Sequence, residues 1–250
     1  MTYCVGLMLK DGLVMVADTR TNAGVDDISI YRKLHIVDES DGRLVVALTA
    51  GNLSVTQLVL SLLKEGLAPL TEGGPRRWVR DAPSMFSVAQ LFGEAILIAT
   101  REMQETLEAA QVASSVSFLL GGRVSGGALI LYQIYDVGNF ITCGEDKPYL
   151  QIGEGKFGKP ILDRALQYDT ALDEAVKVAL ISFDSTIRSN LAVGRPLDLI
   201  VVPGDTNLPV IKRRIEADDR YFNDLSARWG MLLNEARATI PDPPFMRDVV

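Results

Sequence analysis

Few residues in this chain have the type and spacing to do chemistry. The single histidine, His35, sits in a strand-like run from Lys33 to Val37. A Ser-His-Asp triad needs a histidine facing a serine, and no GxSxG turn is present to offer that serine. HExxH and the P-loop signature are also missing, so zinc-activated water and phosphate cradling lack their donors. Gly121-Gly122 and Gly126-Gly127 bracket a short polar turn, which is a hairpin signal. His35 therefore reads as a strand residue rather than a base. Cys4 and Cys143 lie far apart without CxxC or Cys/His spacing, so no disulfide framework, metal or cofactor is expected. A reducing compartment, the cytoplasm, fits this cysteine usage.

One template needs no histidine. A threonine at a chain start can use its own α-amino group as the base. That amine titrates near about 7.7–8.0, whereas a lysine starts near about 10.4 and costs about 4.6 kcal/mol to neutralise at pH 7. A neighbouring ammonium lowers the pKa of an amine and a carboxylate raises it. An N-terminal Thr, a Lys and an Asp held together thus form a proton-transfer set. Thr2 opens the first strand-like run, Asp18 closes the second and Lys33 opens the third. Thr2 becomes the chain start once Met1 is removed, which a small second residue permits. Gly51 follows a strand-like run and precedes a helix, where unpaired N–H groups and the helix dipole favour negative charge. Taken singly, Asp18 also suits a turn, Lys33 a surface strand position and Gly51 a backbone bend.

The elements that must position these residues follow from periodicity. Thr2–Leu9 and Leu13–Asp18 flank the turn Lys10-Asp11-Gly12, and Lys33–Val37 and Arg43–Leu48 flank a second polar turn. The first 50 residues read as a four-stranded antiparallel meander. Helices are expected over Ser54–Lys64, with a capping box at Ser54-Val55-Thr56-Gln57 and a stop at Gly66, and over Ser84–Gln111. The loop between them is long enough to suggest a function or a partner. Further strands are expected at 115–120, 128–135, 140–143, 197–202 and 210–215. Further helices are expected at 159–166, 172–188 and 220–238. Strands and helices grouped this way suggest two antiparallel sheets packed face to face with helices outside, an α+β fold. No linker or repeat interrupts residues 1–250, read as a single domain whose proline-punctuated tail, 241–250, lies on a surface or a neighbour.

Composition narrows the partners. Hydrophobic residues make up 48% of the 250, enough for a full core. The net charge of −7 argues against nucleic acid. The one basic run, Lys212-Arg213-Arg214, is followed by acids and reads as a solvated face. No stretch reaches membrane-spanning length and the N-terminus does not read as a signal peptide, so no membrane partner is expected.

The segment Thr2…Gly6…Gly12-Leu13-Val14-Met15-Val16-Ala17-Asp18-Thr19-Arg20…Lys33, followed by Ala47-Leu48-Thr49-Ala50-Gly51, resembles the start of proteasome β-type subunits and of the HslV peptidase. TYCVGL, ADTRTNAGVDDI and GKPILDRAL are similar, most specifically, to the bacterial proteasome-like family called Anbu. The resemblance implies the four-layer αββα sandwich of N-terminal-nucleophile hydrolases and self-association into a large homo-oligomer. Carried over, Thr2 is the nucleophile, Asp18 orients Lys33, Lys33 assists proton transfer, and the Gly51 N–H holds the oxyanion. Lys33 comes one residue earlier, relative to Thr2, than in proteasome subunits. Where those subunits have a serine in a GSG turn, this chain reads Gly153-Glu154-Gly155, and Glu154 suits a structural role better than a catalytic one. A later Asp-and-Ser pair has no clean match, Ser189 being the nearest candidate. The leading expectation is a threonine peptidase acting on a peptide or amide. The alternatives are a weakly active scaffold subunit that binds partner proteins, and a small-amide amidohydrolase or acyltransferase.

Overall fold

The structure is a computed structural model that describes residues 2–22, 28–40 and 42–246. Contacts divide the chain into two compact units, residues 1–216 and 217–250.

The first unit holds two five-stranded antiparallel sheets. Strands β1 (Tyr3–Leu9) and β2 (Gly12–Asp18) form a hairpin in one sheet; β3 (Arg20–Asn22) and β4 (Ile28–Ile30) pair only with each other; β5 (Leu34–Ser40) and β6 (Arg43–Gly51) form a hairpin in the other sheet. Helices α1 (Leu53–Glu65) and α2 (Met85–Ala109) follow, then β7 (Val116–Arg123), β8 (Ile130–Ile134), β9 (Phe140–Thr142) and β10 (Tyr149–Gly153). Helices α3 (Lys159–Ala165) and α4 (Leu172–Ser189) precede β11 (Leu197–Pro203) and β12 (Ile211–Ile215). The strand orders are β10-β1-β2-β11-β12 and β5-β6-β7-β8-β9.

The expected four-stranded meander is therefore two hairpins in two sheets. Period-2 alternation explains the split. Leu44, Val46, Leu48 and Ala50 of β6 face Leu13, Met15 and Ala17 of β2 across the space between the sheets. Val45 and Ala47, on the other side of β6, pack under α1 and α2. Strands β1, β2 and β6 bury both faces, so the two hairpins stack rather than pair edge to edge. On the outer face of β1, Tyr3 packs against Phe183 of α4, with ring centroids 4.6 Å apart. The layers run α1/α2, sheet, sheet, α3/α4, which is the αββα sandwich expected.

Two local expectations change. Helix α1 begins one residue earlier than expected, and its cap is Asn52 rather than Ser54. The Asn52 side chain accepts the N–H groups of Ser54 and Val55. The stop at Gly66 stands, with φ of +82°. Strand β10 falls where no strand was expected, and its ladder with β1 pairs Tyr3 with Gly153. The 67–83 loop is tied down. Arg43 donates to the carbonyls of Val79 and Ala82, and Arg77 forms a two-point ion pair with Glu94.

The second unit is α5 (Arg220–Thr239), capped by Asp219 accepting the Phe222 N–H, followed by a single 3-10 turn, Pro244–Met246. No helix among the described residues is long and apolar enough to cross a membrane.

Candidate active site

Asp18 is the last residue of β2 and is fully buried. A buried carboxylate must collect donors. Asp18 Oδ1 accepts from Lys33 Nζ at 2.7 Å and from the Tyr3 N–H at 2.9 Å. Oδ2 accepts from the N–H groups of Arg20 at 3.2 Å and Gly194 at 3.4 Å. Burial pushes the Asp18 carboxyl above the usual carboxylate range, while the Lys33 ammonium and the Tyr3 and Gly194 N–H groups pull it back. Four converging donors are the setting of an ionised carboxylate.

Lys33, immediately before β5, is 5% exposed. Its ammonium donates to Asp18 and to the Arg20 carbonyl at 2.6 Å. Those two bonds fix the head group and leave the third of its three N–H donors without an acceptor among the described residues. Lys33 lines a cavity of about 670 Å³ together with Thr2, Thr21, Thr49, Gly51 and Gly153. The structure thus brings Thr2, Lys33 and Gly51 to one cavity, with Asp18 directly behind Lys33.

Thr2 is held through both polar groups of the peptide bond that joins it to Tyr3. Its carbonyl accepts the Glu154 N–H at 2.6 Å, and the next amide, Tyr3 N–H, is the one donated to Asp18. Gly153 has φ of +83°, and a Cβ there would lie 2.1 Å from the Thr2 carbonyl oxygen. Only glycine lets the turn after β10 close over Thr2. Met1 lies outside the described residues.

Gly51 ends β6 with φ of +108°, and a Cβ there would sit 2.2 Å from the Ser115 carbonyl oxygen. The Thr49 N–H donates to the Lys33 carbonyl. Alternation puts the Gly51 N–H on the same edge of β6, past the first residue of β5 and toward the cavity. The start of α1 follows directly, adding its dipole to that side of the cavity.

Glu154 is buried but does not meet the nucleophile through its carboxylate. Its oxygens accept from the Lys156 N–H at 2.9 Å and from Asn190 Nδ2 at 2.7 Å. Burial acts to raise its pKa, but these bonds and the Gly155 N–H hold the carboxyl below its ordinary value. Ser189 is exposed on the last turn of α4; its neighbour Asn190 is the residue that reaches Glu154. Asn190, Arg20 and Gly194 all touch this network and were not singled out from the sequence. Asn190 and Gly194 lie in the mostly apolar stretch Asn190-Leu191-Ala192-Val193-Gly194 just past a helix, and Arg20 follows Asp18 by two residues, so none carried a chemical signature of its own.

The other reactive groups are placed elsewhere. Cys4 is fully buried, its Sγ lies 3.6 Å from the Thr49 carbonyl, and burial pushes its thiol up. Burial likewise pushes the Cys143 thiol up to about 11. Neither forms a thiolate readily. His35 is a strand residue of β5, and burial lowers its pKa, so the ring is neutral near pH 7.

Two stacked antiparallel sheets between helix layers, with Thr2 and Lys33 lining one cavity and Asp18 paired to Lys33, match the proteasome-type fold of N-terminal-nucleophile hydrolases. No family model matches the chain. It is 27% identical over 202 residues to proteasome subunit beta 2 of Pyrobaculum neutrophilum, covering 80% of this chain and 88% of that one. Among solved structures, it is 43% identical to the Anbu (Gly-1) mutant from Hyphomicrobium sp. strain MC1, with a TM-score of 0.86 over 97% of this chain and 99% of that one. It is 42% identical to the chain in the helical assembly of the Anbu complex from Pseudomonas aeruginosa, with a TM-score of 0.87 over 97% and 98%. The chain belongs to the Anbu family of proteasome β-like proteins.

Proposed function

We propose that the chain is a threonine-type amide hydrolase whose nucleophile is Thr2 after removal of Met1. The observation that carries this reading is the buried Lys33–Asp18 pair at the wall of the cavity that Thr2 and Gly51 also line. Asp18 pairs with the Lys33 ammonium and aims it. The ammonium in turn lowers the pKa of a nearby α-amine and favours its neutral form, the form needed in a base. The amine takes the Thr2 Oγ proton as Oγ attacks the amide carbon. The carbonyl oxygen becomes an oxyanion, held by the Gly51 N–H beside the start of α1. Collapse passes the proton to the leaving nitrogen and leaves an ester on Oγ. Water, activated by the same amine, cleaves the ester and restores the threonine.

Self-association belongs to the same reading. The Pseudomonas relative forms a helical assembly, and the family likeness extends over nearly the whole chain.

Labelling with electrophilic peptide probes tests the proposal. Thr2 is expected to carry the label in the parent protein, and Thr2→Ala is expected to carry none. Buried Cys4 is expected to stay unmodified. Intact mass should show that Met1 is absent. A protein that keeps Met1, or carries label on a cysteine, rules out the threonine mechanism. An assembled particle without label on Thr2 would point instead to a scaffold subunit. Label that forms only with small amides would point to an amidohydrolase.

A further inference from the structure

The nucleophile's supports converge on one short segment, residues 190–194, which joins α4 to the strand that follows. At its start, Asn190 Nδ2 donates to Glu154 Oε2 at 2.7 Å, and Asn190 Oδ1 accepts the Ala192 N–H at 3.0 Å. In its middle, the Leu191 carbonyl accepts Arg20 Nη1 at 2.9 Å. At its end, the Gly194 N–H donates to Asp18 Oδ2. Gly194 also lies flat against the Arg20 guanidinium, where a Cβ would come within 2.5 Å of Cζ. Each contact leads back to Thr2 or to Lys33. Glu154 holds the Thr2 carbonyl through its N–H, Asp18 holds the Tyr3 N–H and Lys33, and the Arg20 carbonyl accepts from Lys33 Nζ.

The geometry points to residues 190–194 as a clamp that positions the nucleophile, with the Asn190–Glu154 side-chain bond as its catch; this rests on the reading of Thr2 as nucleophile. Asn190 and Glu154 are positioning residues. The carboxylate fixes the 153–156 turn by accepting the Lys156 N–H, and Asn190 fixes the carboxylate. The rigid turn then presents the Glu154 N–H to Thr2. Two oxygens of one carboxylate reach farther than a serine hydroxyl, so this chain spans from the turn to the end of α4 with a single side chain. The donor-to-acceptor direction of the catch is defined: amide N–H₂ to carboxylate.

That direction gives the test. Asn190→Asp sets two carboxylates against each other where a 2.7 Å bond stood. Glu154→Gln added to Asn190→Asp restores the bond with donor and acceptor exchanged, while Gln Oε1 still accepts from Lys156 and the Asp still accepts from Ala192. Two readouts are used on the full chain: the saturation kinetics of probe labelling at Thr2, and hydrogen exchange at the Glu154 N–H. Asn190→Asp is expected to slow the first-order labelling step by about tenfold or more, since small misplacements of reacting groups cost rates of that order. The half-saturating probe concentration should change little. Glu154 N–H protection should fall while the melting temperature of the rest of the unit stays near that of the parent. The double variant should recover both rate and protection. Asn190→Ala serves where Asn190→Asp does not fold, with the same expected losses. Unchanged labelling and unchanged Glu154 protection in the single variants overturn the clamp, as does a double variant no better than Asn190→Asp. If Thr2 of the parent is not labelled at all, the hydrolase reading fails by itself, and the exchange measurement still decides the clamp.

Discussion

Lys33 and Asp18 are buried together, and each is the other's counter-ion. Removing Lys33 leaves a buried carboxylate held only by main-chain N–H groups. Lys33→Ala should lower stability by about 3–5 kcal/mol, read from denaturant melts of the assembled protein. It should also raise the pKa of the Thr2 amine, shifting the pH of half-maximal labelling upward. Asp18→Asn combined with Lys33→Met removes both charges and should recover much of the stability and none of the labelling. Additive stability losses in the two single variants would show that the pair is not a unit. Glu154 adds a second pH effect. Its folded pKa is depressed, so its contribution is fully present above the unfolded value of about 4.3 and is lost as pH falls through the folded value. Glu154→Gln should therefore lower stability at neutral pH and flatten the acid side of the profile, with variant and parent converging toward the acid limit. An unaltered acid limb would show that Glu154 is not held as a carboxylate.

At the scale of elements, the backbone around the cavity is set by glycine geometry and by a cap. Gly51 must be glycine both for its positive φ and for its distance from Ser115. Gly51→Ala should force the β6–α1 corner apart, costing about 1–3 kcal/mol in strain alone, and should abolish labelling with it. Asn52→Ala should cost about 1 kcal/mol through the lost N-cap. Ser54→Ala should cost less, because the Ser54 side chain donates to Asn52 rather than accepting a helix N–H. Equal losses at the two positions would restore Ser54 as the cap. Residues with a local signature were the legible ones. Long amphipathic helices, the β1–β2 turn, and Asp18 and Lys33 at strand ends could all be read from the sequence. Strand β10 could not, because Tyr149-Leu150-Gln151-Ile152-Gly153 is short and not cleanly alternating, and its identity comes from pairing with β1, far away in sequence. Asn190 was hidden for the same reason. Its partner Glu154 lies 36 residues earlier, and nothing local distinguishes this asparagine from one ending any helix. The meander was misread because alternation reveals which residues share a face, not which hairpins share a sheet.

For the whole molecule, the question is what covers the apolar surface that a lone chain leaves in water. Within the 217–250 unit, Met231, Leu232, Leu233, Ile240 and Phe245 are all exposed. Five large apolar side chains exposed within fifteen residues leave more apolar surface on one segment than soluble monomers usually present. In a subunit of a larger particle, such surface is buried against another copy. A contact that joins two different patches repeats into rings if the rotation closes and into helices if it does not. The chain should therefore sediment at micromolar concentration as a particle many times its own 27.3 kDa. Leu232→Glu with Leu233→Glu places charge in this segment and should lower the particle mass. Residues 2–216 contribute the site and both sheets, so the double substitution should leave their melting transition in place. Thr2→Ala should leave the particle mass unchanged, because the exposed apolar residues belong to the 217–250 unit and Thr2 to the other. A monomer in the parent protein would remove the assembly from the proposed function. Parent-sized particles from the Leu232/Leu233 variant would place the interface elsewhere on the chain.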